Sequence, residues 1–290
     1  MRDFVIMTDS CCDLTAEMAA ELELEVLPLR LLMNEKDYRN YLDGREIGFK
    51  EFYDCMRAGN MGATSAVSVG EFEDAVRPIL SAGKDILYIG FSAALSTTYQ
   101  SSAIAAEQLR EEFPDADIRV VNSKCASMGQ GLLVWLCAQQ KKAGKSLAEV
   151  CAYCEETVPS LCHWFTVNDL NHLKRGGRVS AATALVGTML SIKPVLHVDD
   201  EGRLISVSKA RGRKASLLAL VDEMEKTAID PANQTVFISH GDCLEDAQFV
   251  AAEIEKRFGP KDIRFNYVGP VIGNHTGAGV VALFFLGTHR

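Results

Sequence analysis

Two stretches of this 290-residue sequence put small hydroxyl residues where a strand should give way to a helix. They are ATSAVSVGEF, with Thr64, Ser65 and Ser68, and GFSAALSTTYQSS, with Ser92, Ser96, Thr97 and Thr98. Hydroxyls beside the free backbone N–H groups of a helix start make a donor set for an anion. Capping explains part of the set. Ser68 and Glu71 form an S-x-x-E capping box, and Ser127 with Gln130 is expected to form another. Thr64, Ser96, Thr97 and Thr98 exceed what caps require, and the topology derived below brings Thr64 and Ser96 to one sheet edge. Near the C-terminus GPVIGNHTGAG sets His275 among glycines, which reads as a loop whose backbone can approach a ligand closely.

Other residues offer less. KRGGRVS places Lys174, Arg175 and Arg178 around paired glycines, as in a backbone cradle or an interface. KARGRK (209–214) reads as a solvated basic face ahead of a helix. Cys151, Cys154, Cys162 and His163 could be taken for zinc ligands. CAYC, however, sits in a helical pattern, where i, i+3 spacing also turns two thiols inward, and buried thiols are expected. Cys11 and Cys12 are expected to pack under the TDS turn. There is no G-x-x-x-x-G-K-[ST], no G-x-S-x-G and no H-E-x-x-H, and the glycines of GNHTGAG have the wrong spacing for G-x-G-x-x-G. No catalytic constellation and no metal site is therefore expected.

Composition narrows the class. Hydrophobic residues make up 48% and charged residues 24%, a globular balance. The net charge of −9 argues against a nucleic-acid surface. No apolar run approaches the ~20 residues of a membrane span, and MRDFVIMTDS lacks the pattern of a signal peptide. Nine cysteines, an odd number, argue against a disulfide framework and for a cytoplasmic protein.

The elements that must position the hydroxyls alternate. Strands are expected at FVIM (4–7), VLPLRLL (26–32), DILYIG (85–90) and DIRVV (117–121), with helical patterns between and after them. That order predicts an N-terminal α/β domain, a doubly wound and mostly parallel sheet, over residues 1–160. NEKDYRNYLDGREIG interrupts it as a small hairpin. A C-terminal α/β sandwich domain over 161–290 is expected from CHWFTV, the hairpin around Glu201-Gly202, TVFISH and DIRFNYVG. SAATALVGTMLSI is apolar nearly all round and is expected to be buried between layers.

Taken in order, TDSCCDLT, TSAVSVGEF, FSAALSTTYQSS, VNSKCASMGQGLLV, FTVNDLNHLKRGGRVS, LSIKPVLHVDDEGRL with SKARGRK, and VGPVIGNHTGAG resemble the DegV family of bacterial fatty-acid-binding proteins. The resemblance covers essentially the whole chain. It implies a two-domain DegV-like fold that holds one long-chain fatty acid, such as palmitate or stearate, between its domains, with no cofactor. By the same resemblance Thr64 and Ser96 bind the carboxylate, Ser65, Thr97 and His275 belong with them to the ligand-binding set, and Arg178 and Asn274 lie near the head group or a partner. Family members of the fatty-acid-kinase type present the carboxylate to a separate kinase subunit for acyl-phosphate formation. This chain departs from the family at LSTT, where Thr97 replaces a glycine, at Asn122 in place of an aspartate, at Ala66-Val67, and at Ala278 in place of a proline.

The residues suit that ligand. Burial of ~15 methylenes at ~0.8 kcal/mol each supplies about 12 kcal/mol gross, against an association cost of roughly 4–15 kcal/mol. The tail then supplies affinity, and neutral hydroxyl donors orient the carboxylate. His275 is expected to neutralise or position that head group, and Arg178, following two glycines, to face the entrance. Two other readings are a phosphotransferase subunit related to dihydroxyacetone kinase using His275, and a regulatory protein acting through KARGRK.

Overall fold

The computed structural model describes residues 2–179 and 191–290. Strands of the first half are β1 (Phe4–Asp9), β2 (Glu25–Leu27), β3 (Arg30–Met33), β4 (Lys36–Arg39), β5 (Ala63–Ser65), β6 (Asp85–Gly90) and β7 (Ile118–Asn122). Four of them form a parallel sheet in the order β2-β1-β6-β7. Every residue of β6 is buried, as a parallel strand covered on both faces must be. Helices Val69–Ser81, Thr98–Glu112, Met128–Lys142 and Leu147–Thr157 supply the cover.

VLPLRLL does not form the single strand its composition suggests. Pro28 has no N–H to give a ladder, and the N–H of Leu29 goes to Ser10 Oγ at 3.0 Å. The chain therefore leaves the parallel sheet after Leu27. Arg30 begins a separate antiparallel sheet, β4-β3-β5. Asn34 and Glu35, both with positive φ, make its hairpin turn.

In the second half, β8 (Leu161–Thr166), β9 (Ile192–Val198), β10 (Leu204–Arg211), β11 (Thr235–His240), β12 (Asp262–Tyr267) and β13 (Val281–Leu286) form one sheet in the order β10-β9-β8-β13-β11-β12. Only β11 and β12 run parallel. Its two faces sort by the two-residue period of a strand. Trp164, Val236, Leu283 and Phe285 pack under helices Arg213–Thr227 and Leu244–Phe258. Phe165, Leu196, Phe237 and Phe284 face the other way, into the core of the first half. SAATALVGTMLSI lies almost wholly outside the described residues.

The two capping expectations diverge. Ser68 and Glu71 make both bonds of their box. Ser127 caps nothing with its side chain and sits at φ 53. Its hydroxyl instead donates to Asp13 Oδ2 at 2.5 Å, and Gln130 donates to Thr8 and Asp9.

Candidate ligand-binding site

A cavity of about 420 Å³ lies between the carboxyl ends of the parallel strands and the inner face of the six-stranded sheet. That size is within the ~300–1,000 Å³ of small-molecule sites. Its wall is mostly apolar, with Phe91, Leu95, Phe165, Leu173, Ile272 and Phe284 among the contributors. The polar lining includes Thr64, Ser65, Ser96, Thr97, Arg178 and His275.

Thr64 is the middle residue of β5 and sits opposite Leu31 of β3. Its Oγ1 lies 2.8 Å from Nε2 of His275. His275 is not in a loop. Pro270–Thr276 is a short helix started by Pro270 after the N-cap Gly269, a position where proline loses nothing. Gly277, with φ 80, ends it. His275 occupies its last turn, and Gly176 backs the ring so closely that a Cβ there would meet Nδ1 at 2.2 Å. Burial pushes the imidazole down to about 4, and the neighbouring Arg178 acts in the same direction. The ring is therefore neutral at pH 7.

Arg178 lies in the cavity wall rather than at an outer turn. Its Nε donates to the carbonyl of Leu95 at 3.1 Å and its Nη1 to that of Gly176 at 2.5 Å. Those bonds bring a cation to the same wall as Ser96. Ser96 Oγ accepts from the N–H of Thr98 at 3.2 Å and lies 2.9 Å from the Thr98 hydroxyl. Thr98 is fully buried and serves Val67 as well, so it belongs to the scaffold. Ser65 and Thr97 are exposed at the rim.

Asn274 is not in the cavity lining. Its carboxamide makes two hydrogen bonds with the backbone of Gly62. The TDS turn is also structural. Asp9 is fully buried and accepts from Tyr88, Phe91, Cys11 and Gln130. Cys11 and Cys12 are fully buried beside it. Cys151 and Cys154 are buried thiols of one helix. Cys162 and His163 point to opposite sides of β8, so they do not share a position: Cys162 packs with the second-half core, while His163 lines the cavity. Within KARGRK, Arg213 is half-buried and ties Asp246 to the Gly279 carbonyl. Lys209 and Arg211 are exposed. No cluster of ligating side chains suited to a metal occurs among the described residues, and no helix among them is long and apolar enough to cross a membrane.

The family model described as "Uncharacterised protein, DegV family" matches residues 3–288. The chain belongs to the DegV family. A DegV domain-containing protein of Clostridium perfringens is 47% identical to it over 287 residues, covering 99% of this chain and 98% of that one. Among solved structures, a fatty-acid-binding DegV family protein from Thermus thermophilus is 28% identical. It superposes with a TM-score of 0.89, covering 99% of this chain and 100% of that one. DegV of Bacillus subtilis, a fatty acid binding protein, is 26% identical with a TM-score of 0.86 and the same coverage. The parallel sheet and the second sheet of this DegV protein are thus the fold of its family.

What sequence reasoning missed is the helix that holds His275 and the inward course of Arg178. Pro270 behind a glycine was the available signal for the helix. No local signal pointed to the Leu95 carbonyl that draws Arg178 inward.

Proposed function

We propose that this DegV protein binds one long-chain fatty acid, with the tail in the apolar cavity between residues 1–160 and 161–290 and the carboxylate at its polar wall. The observation that supports this reading most is a largely apolar cavity whose wall carries the hydroxyls of Thr64 and Ser96, the His275 imidazole and the Arg178 guanidinium. The fatty-acid binding described for the Thermus and Bacillus relatives agrees with it.

The chemistry follows from the hydrogen bonds already made. When Thr98 donates to Ser96 Oγ, the Ser96 proton is directed onward to a carboxylate oxygen. When Thr64 donates to His275 Nε2, the opposite ring nitrogen carries the proton, and when it accepts, its own proton turns to the ligand. Hydrogen bonds to a charged acceptor contribute about 1.5–3 kcal/mol each. Arg178 changes the balance from that of neutral donors alone. It keeps a bound carboxylate ionised, while its two bonds to backbone carbonyls hold it in place. Ser65 and Thr97 at the exposed rim leave that end open to a second protein, which suits handover to a separate kinase for acyl-phosphate formation. On this reading the protein itself catalyses nothing. The phosphotransferase alternative gains no observation, since the His275 nitrogen nearest the hydroxyls is engaged by Thr64.

Native mass spectrometry of the protein purified without detergent tests the reading. A co-purified fatty acid, displaceable by added palmitate, is expected. An empty chain that takes up small hydroxyketones and not palmitate would overturn it.

A further inference from the structure

Thr64 and His275 are 211 positions apart, and their contact depends on how two separate segments are held. β5 has three residues, too few to be stiff alone. On one side it is tied to β3, where Ala63 and Thr64 face Leu32 and Leu31. On the other side stands Asn274. Only 4% exposed, it turns its carboxamide onto Gly62, two residues before Thr64. Its Oδ1 accepts from the Gly62 N–H at 2.9 Å, and its Nδ2 donates to the Gly62 carbonyl at 2.8 Å. The amide thus pairs with the backbone as a neighbouring strand residue would, and using both its donor and its acceptor sets its orientation. The helix bearing Asn274 is itself anchored to the first half. The Tyr53 hydroxyl donates to the Val268 carbonyl at 2.7 Å, and the Gly269 N–H donates to Asp13 at 3.0 Å.

We propose that Asn274 is a positioning residue for the head-group pair: by closing two hydrogen bonds on Gly62 it sets residues 62–64 against the last turn of Pro270–Thr276, and so holds the Thr64 hydroxyl on Nε2 of His275 before any ligand arrives. This rests on the reading of Thr64 and His275 as the carboxylate site. Ligand binding then need not order β5, and affinity gains from that pre-organisation. Without the clamp, β5 keeps only its β3 edge. The imidazole then loses its fixed partner and gains water, which relieves the burial that holds it down. It also moves out from beside Arg178, the charged group that faces it.

The full chain, stripped of lipid, is titrated with palmitate by calorimetry, and His275 is followed by imidazole nitrogen NMR across pH in the ligand-free state. Asn274→Ala should weaken palmitate binding roughly three- to tenfold. Asn274→Ser, which keeps a small hydrogen-bonding group toward Gly62 and adds no charge beside His275, should weaken it less. In both variants the His275 titration should move up from about 4 toward its ordinary 6.5. In a Thr64→Ala background Asn274→Ala should cost no further affinity, because both act through one contact. An unmoved His275 titration in folded Asn274 variants, or a fully additive loss in the Thr64→Ala background, would overturn the proposal and leave Asn274 as a support of the fold. If the titration moves while palmitate affinity does not, the positioning role stands and the carboxylate assignment of the pair falls. Should Asn274→Ala fail to fold, Asn274→Ser supplies both readouts.

Discussion

Gly176→Ala separates the site from the fold, because it should leave stability nearly unchanged while weakening ligand binding. Gly176 closes the helix Asn171–Arg175 with φ −70 and ψ −10, angles that any residue adopts. Alanine there loses less chain entropy on folding and should stabilise by ~0.4–1 kcal/mol. Its Cβ, however, would lie 2.2 Å from Nδ1 of His275, 3.1 Å from Cε1 and 3.2 Å from Cγ. To restore an ordinary contact of 3.4 Å the ring must retreat by about 1.2 Å. The helix behind the ring cannot follow, since Asn274 and Gly269 tether it. The imidazole must therefore rotate, and its 2.8 Å bond to Thr64 breaks. That bond contributes ~0.5–1.5 kcal/mol net to the fold, which offsets the gain from alanine. With the pair no longer held in place the ligand must order it on binding, a loss of similar size that is roughly two- to twelvefold in affinity. Palmitate calorimetry and urea unfolding on the same preparation read the two effects. The expected outcome is an unfolding midpoint close to wild type with weaker palmitate binding, and no further loss when Thr64→Ala is added. A folded Gly176→Ala protein with wild-type affinity would refute the placement of the ring in the ligand site.

Ser96→Ala should weaken palmitate binding by about 1–3 kcal/mol, while Ser65→Ala, at the exposed rim, should change it little; equal effects of the two would remove Ser96 from the carboxylate. Arg178→Gln should lower affinity by about 1.5–3 kcal/mol, the loss of one charged hydrogen bond to the ligand, and calorimetry that shows no loss would put the guanidinium outside head-group contact. Stability should respond to pH in two opposite ways. Burial lowers His275 to about 4 from 6.5, so between those values the unfolded chain binds the extra proton and stability falls as pH drops, by up to about 3 kcal/mol. Burial raises Asp13 from 3.8 to about 8 despite its bonds from Ser127 and Gly269, so there the folded chain keeps the proton and stability falls as pH rises through that window. Urea unfolding from pH 4 to 8 should show the acid-side loss reduced in His275→Gln and the alkaline-side loss reduced in Asp13→Asn, and a variant that retains the wild-type profile excludes its group.

Local patterns determined a good part of this protein. The alternation of short apolar runs with helical stretches was enough for the parallel sheet, because strand and helix periods are written in neighbouring residues. The Ser68–Glu71 box was legible for the same reason, both its bonds spanning one helical turn. So was the surplus of hydroxyls at Thr64 and Ser96. The mistakes lie where a distant partner overrides a local rule. Ser127 and Gln130 have the spacing of a capping box, yet Asp13 and Asp9, more than 110 positions away, take their hydrogen bonds. Glycines around His275 suggested a loop, but Pro270, Val271, Ile272 and Asn274 are all buried in a helix. Arg178 reads as facing the entrance until the carbonyl of Leu95 draws it inward. Asn274 looks like a site residue until Gly62 takes both ends of its amide. Sequence spacing records which residues share a turn or a strand face. Which hydroxyl meets which imidazole across 211 positions is decided only when the packed sheets bring the two chain segments together and leave each buried polar group one partner within reach.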